Sequence, residues 1–79
     1  MSYHKFMHLI CYKKVYSSEK EAQKDLKKVK DLASNPKVIQ GKVEGCWLVQ
    51  LYETEHKMRL EEGMLHFRNK GLEVFRYER

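Results

Sequence analysis

The chain has 79 residues, of which 42% are hydrophobic and 34% are charged, with a net charge of +5 at neutral pH. This length predicts one domain over residues 1–79, and the composition excludes a disordered chain. No apolar run approaches the roughly 20 residues that a membrane span needs. The apolar run near the N-terminus is short and precedes no small-residue cleavage site, so we expect no secretory signal.

The positive charge is confined to the first half of the chain. Residues 1–40 carry nine lysines and four acidic residues, which leaves +5, whereas residues 41–79 carry seven basic and seven acidic residues, which leaves zero. A one-sided basic charge speeds the encounter with an acidic partner. The simpler interpretation is a solvated, lysine-rich helix surface.

The first half predicts a strand, a helix and a second strand. A strand is expected over residues 5–13, where apolar residues dominate. Ser18 and Glu21 form the capping-box pattern that starts a helix. Ser-Asn-Pro at residues 34–36 ends that helix, and a second strand is expected over residues 37–44. Four residues form the apolar stripe of the helix: Ala22, Leu26, Val29 and Ala33.

The second half repeats this order. Gly45 permits a tight turn into a third strand over residues 46–53. Thr54 is expected to cap a second helix, Gly71 fits the left-handed position that ends it, and a fourth strand follows over residues 72–77. The buried side of this helix is expected to hold three apolar residues and one glycine that allows close approach to the sheet: Leu60, Met64, Phe67 and Gly63.

Two strand–helix–strand units in tandem predict the β-α-β-β-α-β order of the split-βαβ, or ferredoxin-like, plan. The expected fold is α+β, with a four-stranded antiparallel sheet and both helices on one face. The opposite face of the sheet, here called the open face, is then free to bind.

Because side chains alternate between the two faces of a strand, each predicted strand divides into two sets. We expect the purely apolar sets, such as Met7, Leu9 and Cys11, to face the helices, and Trp47 to be buried with them. The mixed sets should form an exposed contact patch on the open face: Phe6, His8, Ile10, Tyr12, Leu48, Gln50, Tyr52, Phe75 and Tyr77. The alternative is a face covered by the chain ends or by a second copy of the chain.

Both predicted helices carry further candidate contact residues. Met58 and Leu65, seven residues apart, lie off the buried stripe of the second helix and form an alternative contact surface. A basic ridge lies opposite the apolar stripe of the first helix: Lys20, Lys24, Lys27 and Lys28. A protein partner with an acidic surface would fit this ridge.

The sequence contains no pattern typical of a catalytic or metal site. His4 and His8 share a strand face but lie about 13 Å apart, whereas metal ligands converge within about 2.0–2.3 Å of one ion. The glycines form no phosphate-binding loop. Cys11 and Cys46 are interpreted as reduced, buried thiols of a cytoplasmic protein. We therefore expect no enzyme activity, no cofactor and no metal.

RNA-recognition domains share this fold plan, but their motif is absent. Their third strand carries a basic residue, a glycine, and aromatic residues that stack on bases. With Gly45 at the glycine place, Glu44 replaces the basic residue, and Cys46 and Leu48 replace the stacking residues. Nucleic-acid binding would then rest on non-specific stacking and on phosphate contacts from the basic first half.

The second half resembles half of a SPOR domain, a family that binds bacterial septal peptidoglycan. Residues 47–52, Trp-Leu-Val-Gln-Leu-Tyr, and residues 71–74, Gly-Leu-Glu-Val, match its aromatic, Val-Gln-aliphatic and glycine pattern, and residues 7–41 resemble the other half. Tyr-Glu-Thr at residues 52–54 replaces the usual Gly-Ser/Pro-Phe, and we recognise no export signal or membrane anchor. The resemblance implies the same fold and, where the ligand carries over, a glycan site on the open face near four residues: His8, Ile10, Gln50 and Tyr52.

These features predict a non-catalytic binding module that acts by protein–protein contact, as a small adaptor or inhibitor of a larger partner. Self-association into a homodimer is one alternative. Glycan binding of the SPOR type and non-specific nucleic-acid binding are two others. No membrane contact is expected.

Overall fold

The structure, a computed structural model, describes residues 7–78. In chain order the elements are β1 (His8–Tyr12), α1 (Glu19–Val29), β2 (Lys37–Gln40), β3 (Trp47–Thr54), α2 (Lys57–Asn69) and β4 (Val74–Glu78). The strands form one antiparallel sheet in the order β2-β3-β1-β4. The predicted α+β, ferredoxin-like arrangement is therefore confirmed.

The helix ends follow from local hydrogen bonds. The Ser18 hydroxyl accepts from the backbone N–H of Glu21 at 3.2 Å and starts α1, as its sequence predicts. Helix α2 differs, because His56 and not Thr54 occupies its N-cap position. The Thr54 hydroxyl instead accepts from the His56 N–H at 3.1 Å and shapes the turn before the helix. Gly71, with φ of +84°, ends α2 as expected.

Within residues 7–78, apolar side chains form two clusters, one on each side of the sheet. The larger cluster joins β1 and β3 to the buried residues of both helices, and the predicted stripes of α1 and α2 lie in it. Trp47 packs against this cluster on the predicted side but is only half-buried. The smaller cluster lies on the open face and consists of Leu9, Cys11, Ile39 and Leu48.

The connection between β2 and β3 is longer than the sequence suggests. β2 ends at Gln40, so residues 41–46 lie outside both strands. The Gly41 N–H donates to the Cys46 carbonyl at 2.8 Å, which closes this connection at its base. Gly45 has φ of +83°, a value that glycine adopts without strain.

Candidate functional site

The residues predicted to share the open face are divided between the two faces. Four of them lie on the open face: Leu48, Gln50, Phe75 and Tyr77. Each is paired with a residue of the smaller cluster, Leu48 with Ile39, Tyr77 with Leu9, and both Gln50 and Phe75 with Cys11. Four others lie on the helix side, which corrects the prediction: His8, Ile10, Tyr12 and Tyr52. Phe6 lies outside the described residues. The four residues named for a glycan site are thus also divided, since Gln50 is on the face opposite to the other three.

The reversal of β1 has a packing cause. Ile10 fits against α2 where Gly63 has no side chain, and a Cβ on Gly63 would lie 2.6 Å from Ile10 Cδ1. Because side chains alternate, His8 and Tyr12 follow Ile10 to the helix side, and Leu9 and Cys11 turn to the open face. His8 Nδ1 lies 3.3 Å from Glu78 Oε1 on the adjacent strand.

Tyr52 changes face because of a bulge in β3. Ile10 pairs with Tyr52 and Cys11 pairs with Gln50, so Leu51 is an extra residue between them. A bulge of this kind interrupts the alternation of side chains. Leu51 and Tyr52 therefore both pack on the helix side.

The open face is not an exposed apolar patch. Leu9, Cys11 and Leu48 are 0% exposed and Ile39 is 9% exposed. Met7, Phe75 and Tyr77 pack against them as partly buried neighbours. Gln50 is 2% exposed, and its Oε1 accepts no hydrogen bond within the described part of the chain. This side of the sheet is therefore a second, smaller core.

A cleft lies beside α2 on the helix side of the sheet. α1 packs over β2 and β3, and α2 packs over β1, β3 and β4. The space between α2 and residues 31–34, which follow α1, is here called the helix cleft. Its volume is about 430 Å³, and a second concavity of about 470 Å³ adjoins it over Tyr52. Six residues define its floor and the α2 wall: Leu51, Tyr52, Gly63, His66, Phe67 and Lys70.

Charged groups close the ends of the helix cleft. At one end the Lys70 Nζ donates to the Leu32 carbonyl at 3.0 Å, which ties α2 to the segment after α1. Arg59 and Glu62 line the other end. The cleft thus combines an aromatic floor with charged groups of both signs at its ends.

The outer surface of α2 carries the most exposed large apolar side chains of the two helices. Met58 is 82% exposed and Leu65 is 61% exposed. Their spacing of seven residues places both on one side of the helix, two turns apart. That side adjoins Glu62, which lines the helix cleft.

The four lysines of the basic ridge lie on α1 as predicted, but their surroundings differ. Lys20, Lys24 and Lys27 line a shallow depression of about 560 Å³ on the exposed side of α1. Lys28 is different, because its Nζ lies 3.3 Å from Asp25 Oδ1. Its charge is therefore partly compensated within the domain.

The structure also contains a buried polar pair that the sequence analysis missed. The Tyr16 hydroxyl donates to Asp25 Oδ2 at 2.5 Å, and both residues are buried. This bond, with help from Lys28, lowers the pKa of Asp25 in spite of its burial. Burial and the bond to Asp25 raise the pKa of Tyr16. The available signal was that Asp25 lies three residues after Ala22 and four before Val29, within the apolar stripe.

Cys11 and Cys46 are both free thiols, the first buried and the second half-buried. Burial raises the pKa of Cys11 to about 12, so little nucleophilic thiolate exists near neutral pH. Among residues 7–78, no three His, Cys, Asp or Glu side chains are close enough to hold a metal ion.

In comparisons with known proteins, the chain matches no protein family, no curated protein and no solved structure. No helix within residues 7–78 is both long enough and apolar enough to cross a membrane.

Proposed function

We propose that this chain is a non-catalytic binding module that recognises a protein partner through its helical layer. The observation that carries the proposal is the exposure of Met58 and Leu65 on the outer side of α2, where they flank Glu62, a residue that lines the helix cleft. The apolar residues of the open face are already buried, so they offer a partner far less surface. Exposed apolar side chains beside a concavity are features of protein contact sites.

The helix cleft supplies a place for an anchoring side chain of the partner. Tyr52 and Phe67 give it an aromatic floor, and Gly63 leaves room on the α2 wall. An apolar side chain of the partner that enters the cleft would contact this floor. Met58 and Leu65 would contact the partner on the outer surface of α2. A central anchor surrounded by weaker contacts is the usual energetic arrangement of such interfaces.

The basic depression on α1 fits a partner with an acidic surface. Lys20, Lys24 and Lys27 project into solvent along one side of the helix. Such charges act mainly on the rate of association, since long-range attraction steers the encounter. The two free thiols are compatible with a reducing compartment, and we infer a cytoplasmic location.

The test compares three tagged proteins: the wild type, Met58→Ser/Leu65→Ser, and the control Val43→Ser. Val43 is an apolar residue of similar exposure, 67%, but it lies on the β2–β3 connection. We expect a protein from the native host to be retained by the wild type and the control and lost by the double variant. The same differences in Kd should appear with the purified partner. Equal binding to all three would refute the helical contact.

Three further arms separate the alternatives. Affinity for single-stranded nucleic acid that falls steeply between low and moderate salt would replace the proposal with nucleic-acid binding. Co-sedimentation with purified peptidoglycan would indicate that the chain binds a glycan and not a protein partner. Sedimentation equilibrium of the wild type and the Met58→Ser/Leu65→Ser variant would reveal a homodimer formed by the same surface.

A further inference from the structure

The connection between β2 and β3 makes specific contacts with the far edge of the sheet. The backbone N–H of Lys42 donates to the Tyr77 hydroxyl at 2.7 Å. The Lys42 Nζ lies 5.8 Å from the centre of the Tyr77 ring, within the range of a cation–π contact. Gly41 fits closely as well, because a Cβ there would lie 3.3 Å from the Tyr77 hydroxyl.

These contacts cross the whole sheet. β2 and β4 are its two edge strands, and three strand spacings separate them by about 14 Å. A tyrosine side chain alone does not span that distance, so the connection must fold back over the open face. Tyr77 lies on this face, since it pairs with Leu9 and packs against the smaller cluster.

We propose that residues 41–46 form a strap that Tyr77 holds closed over the open face, and that release of the strap exposes the apolar cluster beneath it. In the closed state, the one seen here, Leu9, Cys11 and Leu48 are inaccessible. The open state presents a second apolar surface, distinct from the helix cleft. The strap therefore controls access to one side of the sheet.

The strap is built to open without unfolding the domain. Lys42, Val43, Glu44 and Gly45 are all exposed, so their side chains contribute little to the core. The strap is held by the Lys42–Tyr77 contact and by the backbone bond at its base. Segments with few buried contacts open locally at low free-energy cost. Gly45 supplies a conformationally permissive position within the strap.

Cys11 reports the opening directly. Its thiol lies in the smaller cluster and is fully buried, so a thiol reagent reaches it only when the open face is uncovered. The experiment measures alkylation of Cys11 in the native protein at pH 8, quantified by mass spectrometry of the peptide that contains it. Cys46 is read on its own peptide and needs no mutation.

Tyr77→Phe keeps the ring and removes the bond to Lys42. We expect it to raise the alkylation rate of Cys11 about three- to tenfold, the effect of one hydrogen bond. Tyr12→Phe is the matched control, because Tyr12 lies on the helix side of the neighbouring strand, and it should leave the rate unchanged. Gly41→Ala is a second variant, since its Cβ would crowd the Tyr77 hydroxyl, and it should also raise the rate.

Dependence on denaturant separates local opening from global unfolding. Local opening exposes little surface, so alkylation of Cys11 should be nearly insensitive to low urea concentrations. Alkylation that follows the full urea dependence of global unfolding in the wild type and in Tyr77→Phe would overturn the proposal. Equal rates in the wild type, Tyr77→Phe and Gly41→Ala would overturn it too.

Discussion

Tyr16 and Asp25 join the loop after β1 to the buried side of α1. Their 2.5 Å hydrogen bond connects residues nine positions apart, and neither residue is more than 8% exposed. The backbone of Tyr16 also pairs with Trp47 at the start of β3. One tyrosine thus fixes the loop to the sheet through its main chain and to the helix through its hydroxyl.

Tyr16→Phe removes the hydroxyl and leaves the Asp25 carboxylate with its ion pair to Lys28, whose Nζ lies 3.3 Å from Oδ1. We expect a loss of about 1–3 kcal/mol in the free energy of unfolding at pH 7, because a buried ionised acceptor loses a donor. Urea denaturation measures the loss. Tyr12→Phe is the control and should cost less, since Tyr12 is half-buried. Equal losses would mean that the bond contributes nothing specific.

The Tyr16–Asp25 pair also determines how the stability of the domain should fall at acid pH, here called the acid limb. The folded state lowers the pKa of Asp25 below its ordinary value of 3.8, chiefly through the bond from Tyr16. A lowered pKa contributes stability that is present above the unfolded-state value and lost as pH falls through the folded-state value. Stability should therefore begin to fall below about pH 4, and thermal melts from pH 7 to pH 2 should show it.

Asp25→Asn is the matching variant for the acid limb. It should lower stability at pH 7, because the charge that Tyr16 and Lys28 stabilise is absent. Its melting temperature should then depend less on pH below 4 than that of the wild type. An unchanged slope in this range would assign the acid limb to other carboxylates.

The burial of the open face gives a direct stability prediction. Leu48 is 0% exposed, so Leu48→Ala should cost about 2–5 kcal/mol. Met58→Ala removes a side chain that is 82% exposed and should change stability by less than about 0.5 kcal/mol. Chemical denaturation of both variants checks the assignment. Similar costs would mean that Leu48 is more accessible than the structure indicates.

The sequence predicts the elements of the fold well because their signals are local. Ser18 with Glu21 marks the start of α1, Gly71 marks the end of α2, and the helical stripes repeat at i, i+3 and i+4. Each of these signals depends on neighbours within one or two turns. The order of strands then follows from the tandem repeat of strand, helix and strand.

The sequence predicts the wrong orientation of β1, because the purely apolar set with Leu9 and Cys11 is expected to meet the helices in place of the mixed set with Ile10. Alternation separates the two sets but does not determine which of them faces the helices. The choice depends on Gly63, which is more than fifty residues away in the chain and makes room only for Ile10. The bulge at Leu51 likewise arises from the pairing of β1 with β3. The sequence near Tyr52 therefore does not predict that its side chain lies on the helix side.

Gly63→Ala tests the contact that sets the orientation of β1. Alanine favours a helix over glycine by about 1 kcal/mol, but its Cβ would lie 2.6 Å from Cδ1 of Ile10, which is fully buried. Crowding of this kind costs about 1–3 kcal/mol, so we expect a small net loss of stability. Ile10→Val removes the Cδ1 atom, and Gly63→Ala should become neutral or stabilising in that background. A double-mutant cycle by urea denaturation measures the coupling.

The position of β1 has a consequence for how the domain comes apart. β1 lies in the middle of the sheet between β3 and β4, and its consecutive residues Leu9, Ile10 and Cys11 supply side chains to both apolar clusters in turn. Neither cluster can lose β1 without disturbing the other, so the two sides of the sheet melt as one cooperative unit. The backbone amides of these three residues should then exchange with solvent more slowly than those of β2, and only when the whole domain opens.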